Sequence, residues 1–193
     1  MGLRRTLVSA AVQRLLRWHG VECGPGLIAY GLPFVARVAG SRIALGTRVA
    51  LCSSTRANPL GVNHRIVLRT LAPGSEIVIG DDTGLSGASI CAACSVTIGQ
   101  RCLLGANVTV TDYDFHAVGP KNRRYTTERD AIGCAPVVIE DNVWLGLNAI
   151  VLKGVHIGAN SVVAAGSVVT GSLPANCVAG GVPARVLRML DTA

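Results

Sequence analysis

The sequence contains few aromatic and few charged side chains. Of its 193 residues, 4% are aromatic and 15% are charged, whereas about 25% of an average soluble domain is charged. Single-stranded nucleic acid binds by stacking on aromatic rings, so we expect no nucleic-acid partner despite a net charge of +7. Half of the residues are hydrophobic, which favours a long stacked core or a large subunit interface.

Long hydrophobic runs are also missing. No stretch supplies the roughly 18 uninterrupted apolar residues that a membrane-spanning helix needs, because Gly, Asn, Asp, Ser and Arg break every run. The segment from Leu7 to Val12 is short for the apolar part of a secretory signal, and Arg14 and Arg17 follow it at once. The sequence therefore predicts a cytoplasmic protein.

The seven cysteines lack the spacing of a disulfide framework, and in a cytosolic chain we expect them to be reduced. Cys91 and Cys94 form a CxxC motif that suits a metal or redox site. No second pair follows it, and the motif falls where the repeat described next requires small apolar residues. We therefore favour small core side chains for both cysteines.

A period of six residues runs through the second half of the chain. Aliphatic residues recur at Ile139, Leu145, Val151, Ile157, Val163 and Val169. Small or branched residues follow four positions later, at Val143, Ala149, Val155, Ser161 and Ser167. Neither a helix nor a simple strand has this period, and the Gly, Asp and Asn residues in between suit tight corners.

A longer period indicates how these units assemble. The phrase aliphatic-x-aliphatic-Gly/Glu recurs 18 residues apart at Val137 and Val155, but 41 apart at Val96 and Val137. Three six-residue units therefore make one turn of a triangular coil, and the aliphatic side chains of successive turns stack inward. The 23 extra residues predict an excursion loop at about 113–136, and loops on rigid scaffolds often carry function.

The first 20 residues follow helical spacing instead, with apolar positions at Leu3, Leu7, Val8, Ala11, Val12, Leu15 and Leu16. Arg4, Arg5, Arg14 and Arg17 lie mostly off this stripe. We favour a helix at 1–20 that caps the open end of the coil, where strand edges need cover. The alternative is a basic amphipathic helix in contact with the inner face of an anionic membrane.

The six-residue period is accompanied by two segments, Val137-Val-Ile-Glu-Asp-Asn-Val-Trp-Leu-Gly146 and Val178-Ala-Gly-Gly-Val-Pro-Ala-Arg185. Over about residues 43–190 the chain resembles the hexapeptide-repeat acyltransferases, most of all the galactoside, maltose and polysaccharide O-acetyltransferases. The resemblance implies an all-β fold, a left-handed parallel β-helix at 21–183, followed by a short C-terminal helix at 184–193. It also implies acetyl-CoA as co-substrate and a homotrimer with active sites between subunits.

Acetyl transfer to a hydroxyl needs a base, and histidine can accept a proton near neutral pH. In the family the catalytic histidine follows the run that is Asn107-Val-Thr109 here, and with a one-residue shift this histidine is His116. We expect Asp112 or Asp114 to orient its ring, the alternative being that both aspartates shape a turn. His19, His64 and His156 are interpreted as structural or exposed, and four isolated histidines argue against a metal.

The resemblance also implies residues that bind the donor. It assigns Trp144 to the acyl-donor groove, backbone groups near Ala165 and Thr170 to the pantetheine arm, and Arg185 and Arg188 to a CoA phosphate. On a helical tail, arginines three apart share one face. Gly171 stands where the family often has a lysine, so one CoA contact is missing or replaced.

The acceptor site departs further from the family. The sugar-binding asparagine of the galactoside enzymes falls near Ser86 or Gly87, and a nearby family aspartate is Ala93, so we expect a different acceptor. The loop residues Lys121, Arg123, Arg124 and Arg129 suit an anionic glycan precursor, although a solvated basic loop is the interpretation we favour.

The sequence thus predicts direct acetyl transfer from acetyl-CoA to a hydroxyl of a sugar or glycan precursor. The alternatives are acetylation of a drug or another small hydroxyl compound, and a non-catalytic scaffold on the same β-helix.

Overall fold

The computed structural model describes residues 2–121, 123–126 and 131–191, and the side chains of its helix from residue 6 onward. Within these residues, one α-helix, α1 (Gly2–Trp18), precedes twenty short strands. The first ten are β1 (Glu22–Cys23), β2 (Ile28–Tyr30), β3 (Phe34–Ala36), β4 (Arg42–Leu45), β5 (Ala50–Cys52), β6 (Val67–Thr70), β7 (Glu76–Ile79), β8 (Gly84–Ser86), β9 (Ser89–Ala92) and β10 (Ser95–Ile98). The others are β11 (Leu103–Leu104), β12 (Thr109–Thr111), β13 (Val137–Ile139), β14 (Trp144–Leu145), β15 (Ile150–Val151), β16 (His156–Ile157), β17 (Val162–Val163), β18 (Val168–Val169), β19 (Cys177–Gly181) and β20 (Ala184–Met189).

Strands from successive turns of the chain stack into three parallel sheets. The first sheet has the order β1-β4-β7-β10-β13-β16, the second β2-β5-β8-β11-β14-β17-β19-β20, and the third β18-β15-β12-β9-β6-β3. Among the described strands only β19 and β20 pair antiparallel. The predicted left-handed parallel β-helix is confirmed.

The interior of the coil is filled by the side chains of the six-residue period. All six aliphatic residues of that period, from Ile139 to Val169, are at most 1% exposed, and so are the small residues that follow them by four positions. The buried hydroxyls among these are satisfied: Ser161 donates to the carbonyl of Pro174 at 2.8 Å, and Ser167 accepts from the amide of Gly181 at 3.1 Å. The period therefore marks the inward positions.

One corner of the coil is built from asparagines. Asn142, Asn160 and Asn176 occupy equivalent positions in three turns, with φ of +58°, +61° and +57°. Asparagine tolerates this left-handed conformation better than most residues. The amide of Asn142 donates to Asn160 at 3.0 Å, and that of Asn160 donates to Asn176 at 2.8 Å. The corner residues thus link successive turns as well as bending the chain.

A neighbouring corner is too tight for any side chain at Gly80. A Cβ there would lie 2.6 Å from the backbone nitrogen of Gln100 and 2.6 Å from the carbonyl carbon of Gly99. We expect Gly80→Ala to force the turns apart and lower the free energy of unfolding by about 2–3 kcal/mol. Denaturant titration measures this, with Gly171→Ala as control, because a Cβ at Gly171 meets nothing within 4 Å. Equal stability of the two variants would contradict the steric argument.

The N-terminal helix predicted at 1–20 is confirmed as α1. Val12 and Leu16 are 1% exposed and belong to the same core as the coil. Ser9 accepts a hydrogen bond from the amide of Ala29 in β2 at 2.9 Å. These contacts support the interpretation of α1 as a cap on the first turn. No helix among the described residues has the length and apolarity needed to cross a membrane.

The predicted excursion loop is confirmed between β12 and β13. Its base is closed by two antiparallel backbone bonds, from the amide of Asp114 to the carbonyl of Gly133 and from the amide of Ala135 to the carbonyl of Asp112, both 3.0 Å long. The loop therefore leaves and re-enters the coil at one point.

The prediction of a C-terminal helix is wrong. Ala184–Met189 forms β20, which pairs antiparallel with β19. The last turn of a β-helix ends in a strand with unpaired backbone groups, and a returning strand satisfies them where a helix would not. The spacing of two arginines carried no information about this pairing.

Candidate active site

His116 lies on the excursion loop, shortly after β12 ends. Its side chain is exposed, and no described residue forms a hydrogen bond with its ring. Phe115, directly before it, has φ of +65°, an unusual conformation for an aromatic residue. Its ring packs edge-on against Tyr113 at a centroid distance of 5.6 Å. Backbone strain of this kind is concentrated at functional sites, and here it presents His116 to solvent.

Asp112 has a different environment from the one predicted. Its side chain is completely buried, and its two carboxylate oxygens accept hydrogen bonds from the backbone amides of Ala93 at 2.7 Å and Cys94 at 2.8 Å. The carboxylate therefore holds the corner between β9 and β10. The expectation that it orients His116 is not met among the described contacts.

Asp114 braces the loop from the other side. Its Oδ1 accepts from Nζ of Lys153 at 2.8 Å in a half-buried ion pair, whereas its Oδ2 is buried without a hydrogen-bond partner among the described residues. Neither aspartate is bonded to His116. Their contacts fit the alternative interpretation, in which both shape the chain around the histidine.

Trp144 lies on the outer face of the second sheet and is 52% exposed. It pairs in register with Leu103 on one side and Val162 on the other. Two grooves meet at Trp144: one of about 370 Å³ that includes Ser86, and one of about 570 Å³ that includes Ala165. Three of the predicted binding residues therefore share one largely apolar face.

Arg185 and Arg188 lie on β20 at the edge of that sheet. They are paired with Gly180 and Val178, two positions that point to the same side of β19. A register irregularity compensates for their spacing of three residues. Val178 pairs in turn with Val162, the neighbour of Trp144, so both arginines belong to the outer face that carries Trp144.

Thr170 is separate from these residues. It directly follows β18, a strand of the third sheet, and is exposed. It lines neither groove. Of the basic loop residues, Arg123 donates to the carbonyls of Ala117 at 3.1 Å and Val118 at 2.7 Å, and so supports its own loop. Arg129 lies outside the described residues.

Sequence reasoning missed a second loop, between β5 and β6. Its residues Asn58, Pro59 and Leu60 line the larger groove, and the amide of Asn63 donates to Oδ1 of Asn107 at 2.8 Å. A signal was present, because Ile43 and Ile77 are 34 residues apart, well beyond one regular turn of 18. Lys153 was also missed, and nothing in the sequence pattern distinguishes it.

The family model of the hexapeptide repeat of succinyl-transferase matches residues 76–112 and 136–171, which omits the excursion loop. The chain is 45% identical over 96 residues to a galactoside O-acetyltransferase of Lactococcus lactis, covering 50% of this chain and 44% of that protein. It is 39% identical over 98 residues to a putative lipopolysaccharide biosynthesis O-acetyl transferase of Escherichia coli, covering 49% and 50%.

Among solved structures, a hexapeptide-repeat acetyltransferase of Vibrio cholerae complexed with acetyl-CoA is similar with a TM-score of 0.59 and 26% identity, covering 94% of this chain and 78% of that one. The chain spans about half the length of the curated relatives that it matches. The sequence similarity to those relatives is therefore partial.

Proposed function

We propose that this chain is a hexapeptide-repeat acyltransferase, as the repeat model matched at residues 76–112 and 136–171 supports, and that it transfers an acetyl group from acetyl-CoA to a hydroxyl of a sugar or glycan precursor. The observation that carries the proposal is His116, whose ring is exposed and has no hydrogen-bond partner among the described residues, on a loop braced by two aspartates. The named activities of the galactoside and lipopolysaccharide relatives support a sugar hydroxyl as acceptor.

The proposed chemistry is a direct transfer. The imidazole of His116 accepts the acceptor's hydroxyl proton as the oxygen attacks the thioester carbonyl, and the CoA sulfur then leaves and takes up a proton. The acetyl group moves in one ternary complex, so no covalent bond to the enzyme is needed. Asp112 and Asp114 contribute by fixing the loop that holds the base.

The outer face of the second sheet fits the donor. Trp144, Val162, Val178 and Arg188 form one row across adjacent strands, with neighbouring strands about 4.8 Å apart. The row begins with an aromatic ring and ends at guanidinium groups, which suits a chain that is neutral at its thioester end and phosphorylated at the other. Ala165 would offer backbone groups at the corner that adjoins this face, whereas Thr170 lies at the far end of β18.

The same face supports a homotrimer with active sites between subunits. Leu103 and Trp144 are 57% and 52% exposed on this face, and contiguous apolar surface of this kind marks interaction sites. We propose that the second subunit closes the groove over the donor. We further propose that the protein is cytoplasmic and that α1, on which Leu7 and Trp18 are exposed, contacts the inner face of the membrane.

Turnover of acetyl-CoA tests the proposed function. Release of free thiol is measured with a panel of sugars, glycan precursors and small non-sugar hydroxyl compounds, alongside direct binding of acetyl-CoA. Stimulation by a sugar supports the proposal. Stimulation only by the non-sugar compounds would instead support acetylation of a drug or another small hydroxyl compound. Failure to bind acetyl-CoA would support a non-catalytic scaffold.

A lysine at position 171 is expected to strengthen donor binding. Gly171 is exposed, and a side chain there meets nothing within 4 Å, so Gly171→Lys adds a cation without steric cost. We expect KM for acetyl-CoA to fall about 3-fold to 10-fold at unchanged kcat, the worth of one charge-assisted hydrogen bond. Gly171→Met supplies a side chain of similar length without the charge. An equal KM for both variants would mean that no CoA phosphate binds at this corner.

A further inference from the structure

Two cysteines that are distant in sequence meet at the base of the excursion loop. Cys94 lies at the corner between β9 and β10, and Cys134 lies where the loop returns, bridged to Tyr113. Their sulfur atoms are 2.8 Å apart. Cys91, the other half of the CxxC motif, instead pairs in register with Thr111 on the third sheet. The prediction that Cys91 and Cys94 are core side chains is wrong, because both are only half-buried.

We propose that Cys94 and Cys134 form a reversible disulfide that clamps the excursion loop to the coil. The surroundings already hold the two residues together: Asp112 accepts the amide of Cys94 through its carboxylate and the amide of Ala135 through its carbonyl. A covalent link would therefore join backbone segments that are fixed on both sides. Two sulfur atoms that are already close, on backbone segments that are already fixed, can form a disulfide with little movement of the backbone.

A metal site fits these residues less well. The carboxylate of Asp112 lies within reach of both sulfurs, but each of its oxygens already accepts a backbone amide. Soft cations such as Zn²⁺ take four ligands in structural sites, and among the described residues this cluster offers three ligand groups. A disulfide needs no third group.

The oxidant is a low-molecular-weight disulfide such as oxidised glutathione. The thiolate of exposed Cys134 attacks one sulfur of the oxidant, forming a mixed disulfide and releasing one thiol. Cys94 then attacks the Cys134 sulfur and releases the second thiol, so two protein thiols become one disulfide while the oxidant is reduced to two thiols. Burial raises the pKa of the Cys94 thiol, so we assign the first attack on the oxidant to the exposed Cys134, and excess small thiol reverses both steps.

The redox change acts on a segment that includes His116. The link closes 41 residues, from position 94 to position 134, and thereby restricts the unfolded chain. We expect the thermal midpoint of the oxidised protein to rise by about 5 °C or more over the reduced protein. In a reducing compartment the bond would form when the disulfide fraction of the small-thiol pool increases.

Peptide mapping tests the proposal on the full chain. The protein is equilibrated with oxidised glutathione or with dithiothreitol, alkylated, digested with trypsin without reduction and analysed by mass spectrometry. The expected product links fragment 70–101 to fragment 130–153 and is 2 Da lighter than their sum. Cys134→Ser and Cys94→Ser should abolish it, whereas Cys91→Ser, the matched control on the same fragment, should retain it.

Three results would overturn the proposal. These are the absence of the linked fragment at excess oxidised glutathione, a link that is lost in Cys91→Ser but kept in Cys94→Ser, and Zn²⁺ that copurifies with the wild type in equimolar amount and is lost in Cys134→Ser. None of these results depends on acetyl transfer, so failure of the redox proposal is distinguishable from failure of the proposed function.

Discussion

His116→Ala is expected to lower kcat for acceptor-dependent acetyl transfer by about 10²-fold to 10⁴-fold, the usual contribution of a positioned general base. The hydroxyl proton would otherwise pass to water, which lacks the imidazole's basicity and position. Binding of acetyl-CoA should be unchanged, because His116 lies on the excursion loop and the groove at Trp144 lies on the second sheet. Stopped assays of thiol release give kcat, and calorimetry gives the affinity for acetyl-CoA.

His64→Ala is the matched control for this substitution. His64 is also exposed on a loop, but its Nδ1 lies 2.8 Å from the carbonyl of Arg65, so its ring has a local structural contact. Its kcat should stay within about 2-fold of the wild type. If both variants lose activity equally, or if His116→Ala keeps it, the base lies elsewhere and the proposed mechanism is wrong.

Asp112→Ala is expected to destabilise the protein by about 3 kcal/mol or more. The substitution leaves the buried amides of Ala93 and Cys94 without acceptors, and each unsatisfied buried donor costs about 1–3 kcal/mol. The base of the excursion loop should loosen at the same time, because the backbone carbonyl of Asp112 accepts the amide of Ala135 and would belong to a segment that its side chain no longer anchors. Denaturant unfolding measures the first effect, and amide hydrogen exchange near residue 135 measures the second.

Asp114→Asn tests the ion pair that supports the loop, and Asp112→Ala distinguishes structural support from orientation of the histidine. Asp114→Asn keeps the shape of the side chain but removes the charge that pairs with Lys153, a half-buried ion pair, so we expect a smaller loss of about 1 kcal/mol. If Asp112 instead oriented His116, Asp112→Ala would shift the pH profile of kcat while the free energy of unfolding stayed near that of the wild type. That outcome would contradict the structural role assigned to Asp112.

The regular part of the fold was predictable because its signal is local and repeated. Each inward position between Ile139 and Val169 needs an aliphatic side chain in every turn, so burial leaves a period that can be counted. The excursion loop interrupts that period and was found for the same reason. The second loop was equally countable from the interval between Ile43 and Ile77.

The C-terminal segment was not predictable in this way. The same-face position of Arg185 and Arg188 is correct, but it arises from a register irregularity in an antiparallel pair and not from a helix. Pairing of β20 with β19 depends on a free strand edge at the end of the coil, which no spacing within residues 184–189 expresses. Strand partners are non-local, so a pattern read along the chain cannot identify them.

The sequence by itself determined the three-sided coil, the N-terminal helix and the excursion loop, because each follows from residue spacing along the chain. Only the tertiary structure decided what the neighbouring polar groups do. In the folded chain the carboxylate of Asp112 accepts the amides of Ala93 and Cys94, Asp114 pairs with Lys153, and Cys94 contacts Cys134. These partners are 18–40 residues apart, and their contacts exist only once the turns of the coil stack and the loop closes.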